Sequence, residues 1–349
     1  MPNEKISLAA AQTARKDEFY TQYADIEKEV NVYLEYNPDV FRDKTVLLPC
    51  DDPEWSNFTR YFAQHFESLG LRKLISTSYA ADSKEACIPY QLTLWEQDSP
   101  KFDPNKTKAK GKIFVLERDR TGDGRINIED LDFEYLEGDG DFRSEEVRKL
   151  RDEADIIVTN PPFSLFREFL EWIMAAQKKF LIIGNLNAIT YKEVFPLIKE
   201  NKLWLGVTWD GRNHYFGVPD NYPLTQKTGK IVDGKKYAFV KGVMWYTNIE
   251  HGRRHQHLPL MTREQNIRYN KKLNGQDYAK YLNCDAIEVP FVDAIPCDYD
   301  GLMGVPISFL NKFCPEQFEI VKFRKGDDGK DLKVAGKSIY FRILIRKKQ

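Results

Sequence analysis

The chain has almost no excess charge. Fifty-two Lys and Arg stand against 53 Asp and Glu in 349 residues, a formal net charge of -1. That excludes a polycation, so any surface for nucleic acid must be local. Cysteine is scarce: Cys50, Cys87, Cys284, Cys297 and Cys314 are odd in number, scattered, and form no CxxC pair. A disulfide framework and a zinc knuckle are thereby disfavoured, and a reducing cytosol fits. The opening residues MPNEKISLAAAQTARKDEFY hold no apolar secretion core. No apolar run approaches the roughly 20 residues of a membrane span. No internal repeat is visible. The expectation is a soluble cytoplasmic protein, with no membrane partner, long enough for a large core or two domains.

What is present is an alternation of buried strands and amphipathic helices. Ile26, Val30, Tyr33 and Tyr36 recur at near-helical spacing. TVLLPC (45–50) is a continuous apolar run, as a buried parallel strand requires. Asp51, Asp52 and Pro53 break it. NFTRYFAQHFESLGL reads as a helix ended by Gly70, and KLISTSY as a second strand. Strand, helix, strand implies a right-handed parallel unit. Residues 98–137 read as an insertion, with KIFVLERD and INIEDLDFEYL flanking a Gly-Asp-Gly turn as a hairpin. A helix from Glu145, the strand ADIIVTN, the helix SLFREFLEWIMAAQ, the strand KFLIIGN and the helix ITYKEVFPLIKEN follow. WLGV and GVMWYTNI are later strands. The pattern predicts a doubly wound α/β sheet. After about residue 250 the texture turns basic and polar, in HGRRHQH, TREQNIRYNKKLNGQDYAKYL and the Lys/Arg-rich tail. A boundary is placed there, separating residues 1–250 from residues 251–349.

The stretch DIIVTNPPFSLFREFLEWI carries the chemistry. In open α/β sheets ligands sit at the carboxyl ends of strands, and Asn160 lies at such an end. Its amide oxygen accepts hydrogen bonds. The Pro161 carbonyl is a second acceptor, on a residue with no N–H. Two adjacent acceptors suit an exocyclic amine: bonds to both hydrogens draw the nitrogen lone pair out of ring conjugation and aim it at an electrophile. Phe163 offers a flat face for a base to stack on. No strong base is needed if the attacked carbon is a sulfonium methyl. A plainer alternative is that Pro161 and Pro162 only end a strand and start a helix.

With these residues in view, the sequence resembles the EcoRI-type N6-adenine DNA methyltransferases. NPPF matches the catalytic motif of N6-adenine methyltransferases at large. DEFYTQYADIEKEV, CDDPEWSNFTRYF, GDGDFRS, DIIVTNPPFSLFRE, KKFLIIGNLNAITYKEVF, DYDGLMGVPISFLNKF and PEQFEIVKFRKG extend the match over most of the chain. The resemblance implies a Rossmann-like S-adenosylmethionine-dependent methyltransferase fold with a doubly wound mixed sheet, a catalytic region over 1–250 and a basic DNA-recognition region over 251–349, S-adenosylmethionine as donor, and duplex DNA with a flipped target adenine. It places Asn160, Pro161, Pro162 and Phe163 at the target base. Phe19, Tyr20 and Thr21 would line the cofactor's methionine end, and Asp141 and Phe142 its adenine. Cys50, Asp51, Asp52 and Pro53 take the place of the first cofactor loop. That loop has no glycine, where most such enzymes carry several, and KLISTSY is not followed by the usual acid for the ribose. A restriction-modification role implies a short palindrome such as GAATTC, a monomer, and a cognate endonuclease acting on the same site without a stable complex.

Other features carry alternatives. DRTGDGRINIED (119–130) is close to a calcium loop, with Asp119, Thr121, Asp123, Asn127 and Asp130 at ligand positions and Gly124 at the sixth; a plain hairpin is the competing reading. His251, His255 and His257 read as a DNA-facing or solvated surface rather than a metal site, so no metal is expected. Arg253, Arg254, Arg268, Lys271 and Lys272, with Arg263, are candidates for phosphate or base-edge contacts, or else form a solvated face. Trp55, Trp204, Trp209 and Trp245 read as core. A guanine-N2 RNA methyltransferase and a catalytically inactive DNA-binding protein of the same fold are the rival functions.

Overall fold

The computed structural model describes residues 20–51, 56–80, 101–211, 214–218, 222–324, 332–339 and 341–348. Phe19, Asp52, Pro53, Trp55 and Cys87 lie outside the described residues. The chain folds as two compact units, Met1–Leu186 with Gly211–Ile249, and Asn187–Asp210 with Glu250–Gln349. Among the described residues no helix is long and apolar enough to cross a membrane.

The first unit opens with helix α1 (Tyr23–Tyr36), which buries Ile26, Glu29, Val30 and Tyr33. Strand β1 (Thr45–Pro49) is buried at every position. Helix α2 (Asn57–Gln64) starts at Ser56, whose hydroxyl accepts from the Phe58 N–H, and buries Phe58, Tyr61 and Phe62. One further turn ends at Gly70, in the left-handed conformation (φ 64°) that glycine adopts without strain. Strands β2 (Lys73–Ser78), β3 (Lys112–Leu116) and β4 (Asp132–Tyr135) follow, with helix α3 (Pro104–Ala109) before β3. Helix α4 (Glu145–Glu153) is capped by Ser144. Then come β5 (Ile156–Thr159), α5 (Phe166–Ala175) and β6 (Lys179–Asn185).

Next in chain order are α6 (Phe195–Lys199) and the short β7 (Trp204–Leu205), both of the second unit. The expected helix over ITYKEVFPLIKEN is cut to these five residues. A helix begun at Ile189 would put Pro196 in its interior, where the missing N–H loses a helical bond; the helix instead starts at Phe195, with Pro196 in its first turn. The chain returns to the first unit with β8 (His214–Gly217), β9 (Gly229–Val232), β10 (Lys235–Val240) and β11 (Val243–Thr247).

The main sheet of the first unit runs β4-β3-β2-β1-β5-β6-β11. β1 pairs parallel with β2 and β5, and β5 with β6; β3, β4 and β11 run antiparallel to their neighbours. This is a mixed sheet with a parallel centre. From β1 the chain moves to β2 on one side, and the sheet continues through β5 on the other. The gap between the carboxyl ends of β1 and β5 is therefore the topological switch point. β8, β10 and β9 form a separate antiparallel sheet.

The second unit adds α7 (Arg263–Tyr269), started by a Thr262/Gln265 capping box. Its sheet has the order β12-β13-β17-β14, from Ala286–Glu288, Leu302–Pro306, Arg342–Lys347 and Phe318–Arg324, with β15 (Lys333–Val334) and β16 (Lys337–Ser338) as a small ribbon. The basic tail of the sequence thus supplies strands whose Ile343, Leu344 and Ile345 are buried. Trp204, Trp209 and Trp245 are core residues in their units, as expected.

Candidate active site

Asn160 stands directly after β5. The preceding Thr159 donates its hydroxyl to the Pro49 carbonyl at the end of β1 (3.2 Å). One side chain therefore ties the residue before Asn160 to the residue before Cys50. Pro161 and Pro162 continue extended, and a 3-10 turn covers Phe163–Leu165 before α5 begins at Phe166. The expected helix starts two residues late because the Leu165 N–H bonds to the Pro162 carbonyl (2.9 Å), closing a tighter turn. Asn160 is half-buried, Pro161 is buried, and Phe163 is 8% exposed. Phe166 anchors the following helix: it lies so close to Gly184 on β6 that a Cβ there would meet its ring at 2.3 Å.

The loop after β1 makes its turn without glycine. Cys50 itself takes a positive φ of 98°. Its N–H and that of Asp51 both bond to the Thr77 carbonyl of β2 (3.1 and 2.9 Å). The Asp51 carbonyl accepts from the Ser76 and Thr59 hydroxyls, and its carboxylate accepts from Ser56 (2.6 Å). Three hydroxyls and two amides hold a backbone conformation that is strained for a side-chain-bearing residue. The glycine pattern was therefore the wrong signal to seek; the hydroxyls of Ser56, Thr59 and Ser76 do the holding.

Tyr20 and Thr21 come to the same place. The Asn57 side chain at the start of α2 donates to the Thr21 carbonyl (2.7 Å). Tyr20 exchanges two backbone bonds with Gly217 on β8 (2.9 and 2.8 Å), and Gln22 donates to the Tyr215 carbonyl (2.7 Å). The hydroxyls of Thr21 and Thr77 are buried, and neither has a hydrogen-bond partner among the described residues. Such atoms are rare in a folded protein. Both belong to segments gathered at these strand ends.

Asp141 and Phe142 belong to a segment that closes on β2. The Ala80 N–H bonds to the Asp139 carbonyl (2.8 Å), and Gly140 (φ 84°) approaches the Ser78 carbonyl so closely that a Cβ would lie 2.4 Å from it. The Asp141 carboxylate is gripped by Arg143 through both oxygens (2.9 and 2.6 Å), which holds it below the usual carboxylate range. Phe142 is 4% exposed and packs edge-on against Phe169 and Trp172. Arg143 is a residue the sequence reading did not single out, although it follows directly in GDGDFRS.

The basic residues of the second unit divide. Arg254 is a correction to the DNA-facing set. It is 4% exposed, lies 3.7 Å from the Trp204 ring centroid, and bonds Glu250 (3.0 Å) and Asn201 (2.6 Å). Its work is to hold the fold. His251 is likewise buried, with Nε2 3.2 Å from the Leu205 carbonyl, and burial pushes its pKa down to about 4. His255 sits 3.0 Å from Glu316. Arg263 forms a two-point pair with Asp277 (2.9 and 2.8 Å), and Lys272 pairs with Asp293 (2.8 Å). Arg253 is exposed with one bond to the Val207 carbonyl, while Arg268 and Lys271 are exposed.

The 119–130 loop closes on its own backbone. Asp119 accepts from the N–H groups of Gly122 and Gly124, and Asp130 from those of Arg120, Thr121 and Asn127. The carboxylates are turned to amides between the antiparallel β3 and β4. Among the described residues no cluster of three or more His, Cys, Asp or Glu could hold a metal.

Compared with known proteins, residues 7–348 match the family model described as "Adenine-specific methyltransferase EcoRI". The chain belongs to this family. It is 45% identical over 343 residues to the type II methyltransferase M.EcoRI of Escherichia coli, covering 98% of this chain and 96% of that protein. It is 34% identical to the type II methyltransferase M.MgeORF184P of Mycoplasma genitalium (97% and 98% covered) and 32% identical to M.MpnI of Mycoplasma pneumoniae (97% of each). No solved structure matches. The chain is an adenine-specific methyltransferase with a mixed α/β fold, which sets aside the guanine-N2 alternative.

Proposed function

We propose that this methyltransferase is the modification enzyme of a type II restriction-modification system, transferring a methyl group from S-adenosylmethionine to N6 of an adenine flipped from duplex DNA. The observation that carries the reading is the meeting of Asn160 with the Cys50–Asp51 loop through the Thr159–Pro49 bond, at the switch point of a Rossmann-like, doubly wound sheet.

The cofactor would be held by Tyr20 and Thr21 on one side and the Cys50–Asp51 loop on the other, with Asp141 and Phe142 at the end of β2. The buried hydroxyls of Thr21 and Thr77 fit a polar ligand that would satisfy them. When bound, S-adenosylmethionine supplies an activated methyl carbon. The chain's part is positioning. Asn160 and the Pro161 carbonyl accept the two N6 hydrogens and turn the lone pair outward. Phe163 backs the base, and its 8% exposure means that the base must meet its edge or open the covering contacts. The amine loses its proton to solvent after transfer, so no general base is assigned.

The second unit acts as the DNA-recognition region, with Arg253, Arg268, Lys271 and Lys272 on phosphates or base edges. The enzyme works as a cytoplasmic monomer beside an endonuclease of the same specificity. The test is methylation of mixed duplex DNA and RNA with labelled cofactor, followed by nucleoside mass spectrometry. N6-methyladenine in duplex DNA is expected; labelled RNA alone, or N4-methylcytosine alone, overturns the proposal.

A further inference from the structure

We propose that the β9–β10 hairpin is a DNA-contacting finger of the first unit, its apolar tip pressing on the base pairs beside the target while its lysines hold the backbone. The inference rests on the reading of duplex DNA as substrate. Ile231 and Val232 at the tip are 63% and 44% exposed, among the few large apolar side chains that the described residues leave in water. The tip is a closed two-stranded turn. Asp233 (φ 50°) and Gly234 (φ 76°) form the two-residue turn whose twist matches a hairpin. Register runs unbroken from Val232↔Lys235 to Gly229↔Ala238.

Charge says which partner fits. Residues 222–241 contain five lysines and one acid, Asp233, in a protein whose net charge is -1. Lys227, Lys230 and Lys235 are exposed, with no carboxylate partner among the described residues. Lys230 lies 4.1 Å from the Tyr215 ring centroid, which presents its ammonium on an aromatic surface. An exposed apolar tip alone would suit a protein. An apolar tip on a hairpin that carries exposed lysines suits a polyanion with apolar base faces, and the enzyme's own substrate is one.

Position supports the same partner. Tyr20 pairs with Gly217, Gly217 with Tyr237, and Tyr237 with Lys230, a single cross-strand row. Three steps of strand spacing put Lys230 about 15 Å from Tyr20. The tip lies two residues beyond, at the far edge of the small sheet whose other edge is joined to Tyr20.

The experiment uses the full chain with two variants, Ile231→Ser/Val232→Ser and Lys227→Gln/Lys230→Gln/Lys235→Gln. These side chains are on the surface, so folding is checked only by an unchanged melting curve. Single-turnover methylation is measured on a duplex with a paired target adenine and on one with the adenine mispaired. DNA affinity is measured against salt, and oligomeric state by sedimentation. The tip variant is expected to slow the paired duplex roughly tenfold and the mispaired one little, because opening a weak pair costs less. The lysine variant is expected to flatten the salt dependence by about 2–3 in slope. Wild-type rates on both duplexes together with an unaltered salt slope overturn the finger. So does a change in self-association with DNA behaviour intact, which would make the tip a face for a second copy. N6-methyladenine formed by wild type in the same assay keeps the activity standing when the finger falls.

Discussion

The β9–β10 hairpin and the basic stretch after residue 250 treat charge differently. In the first, Lys227, Lys230 and Lys235 have no acidic partner among the described residues. In the second, where basic residues look densest in the sequence, the structure spends much of that charge internally: Arg254 on Glu250 and Trp204, Arg263 on Asp277, Lys272 on Asp293. A basic run in a sequence counts ions, whereas a phosphate responds only to ions that are exposed and unpaired. The lysine-rich segment 222–241 is the smaller run, yet Lys227, Lys230 and Lys235 in it are exposed and have no carboxylate partner among the described residues.

The largest effect expected anywhere in the molecule is at Asn160. On the proposed mechanism, Asn160→Ala removes a preorganised acceptor at the reacting amine, which typically costs about 3 kcal/mol, or roughly a hundredfold in the chemical step. Binding of DNA and cofactor should survive, because the side chain is small and its strand is held by Thr159 and by pairing with β1 and β6. Single-turnover methylation at saturation measures it, and a wild-type rate in the folded variant would remove Asn160 from the mechanism.

Arg254→Ala should come next, and should act on stability rather than on DNA. It strips a 4%-exposed guanidinium from Trp204, Glu250 and Asn201. Breaking a buried pair of this kind costs about 3 kcal/mol. Denaturant unfolding reads the loss. Under conditions where the variant is folded, its DNA affinity and salt slope should match wild type; a loss of affinity with stability intact would return Arg254 to the DNA surface.

His251 should make the second unit sensitive to acid. Its folded pKa, about 4, lies below the ordinary value near 6.5 for an unfolded histidine. Between those values the unfolded chain binds a proton that the folded chain refuses. The stability contributed is therefore full above pH 6.5 and declines as pH falls toward 4, by about 2 kcal/mol over most of that window. His251→Gln should flatten this part of the stability profile. Equal pH dependence in both proteins would show that His251 is accessible to protons in the folded state.

Much of the first unit was legible in the sequence because its signals are local. Apolar runs such as 45–49 and 156–159 are buried at every position, as parallel strands must be. The segments Tyr20–Thr21, Cys50–Asp51, Asp141–Phe142 and Asn160–Phe163 were readable as local motifs. Their fastenings were not, since Thr159–Pro49, Asn57–Thr21 and Ser76–Asp51 join residues far apart in the chain. Helix 195–199 was overcalled because periodicity ignores the N–H that Pro196 lacks, which confines it to a first turn. In the second unit, Ile343–Ile345 form a central strand inside a tail whose lysines and arginines dominate its composition. Composition reported the faces of those strands that meet water and hid the faces that meet the core.

The smallest effects should sharpen the contrast between spent and available charge. Arg268 and Lys271 are exposed, whereas Lys272, one residue on, lies 2.8 Å from Asp293. If this surface meets the DNA backbone, Lys271→Gln should lower the slope of log affinity against log salt by about 1, since one phosphate contact and its released counterion are lost. Arg268→Gln should do the same. Lys272→Gln should change it less: the lysine already shares its field with a carboxylate, and removing it leaves Asp293 free to repel the backbone weakly. That pair is about half exposed, so solvent screening keeps the residual effect small. Affinity titrations at several salt concentrations order the three variants. A Lys272→Gln slope change equal to or larger than that of Lys271→Gln would mean that the Asp293 pair opens on binding. Unchanged slopes for Arg268→Gln and Lys271→Gln would leave the lysines of the β9–β10 hairpin as the ones that meet the backbone.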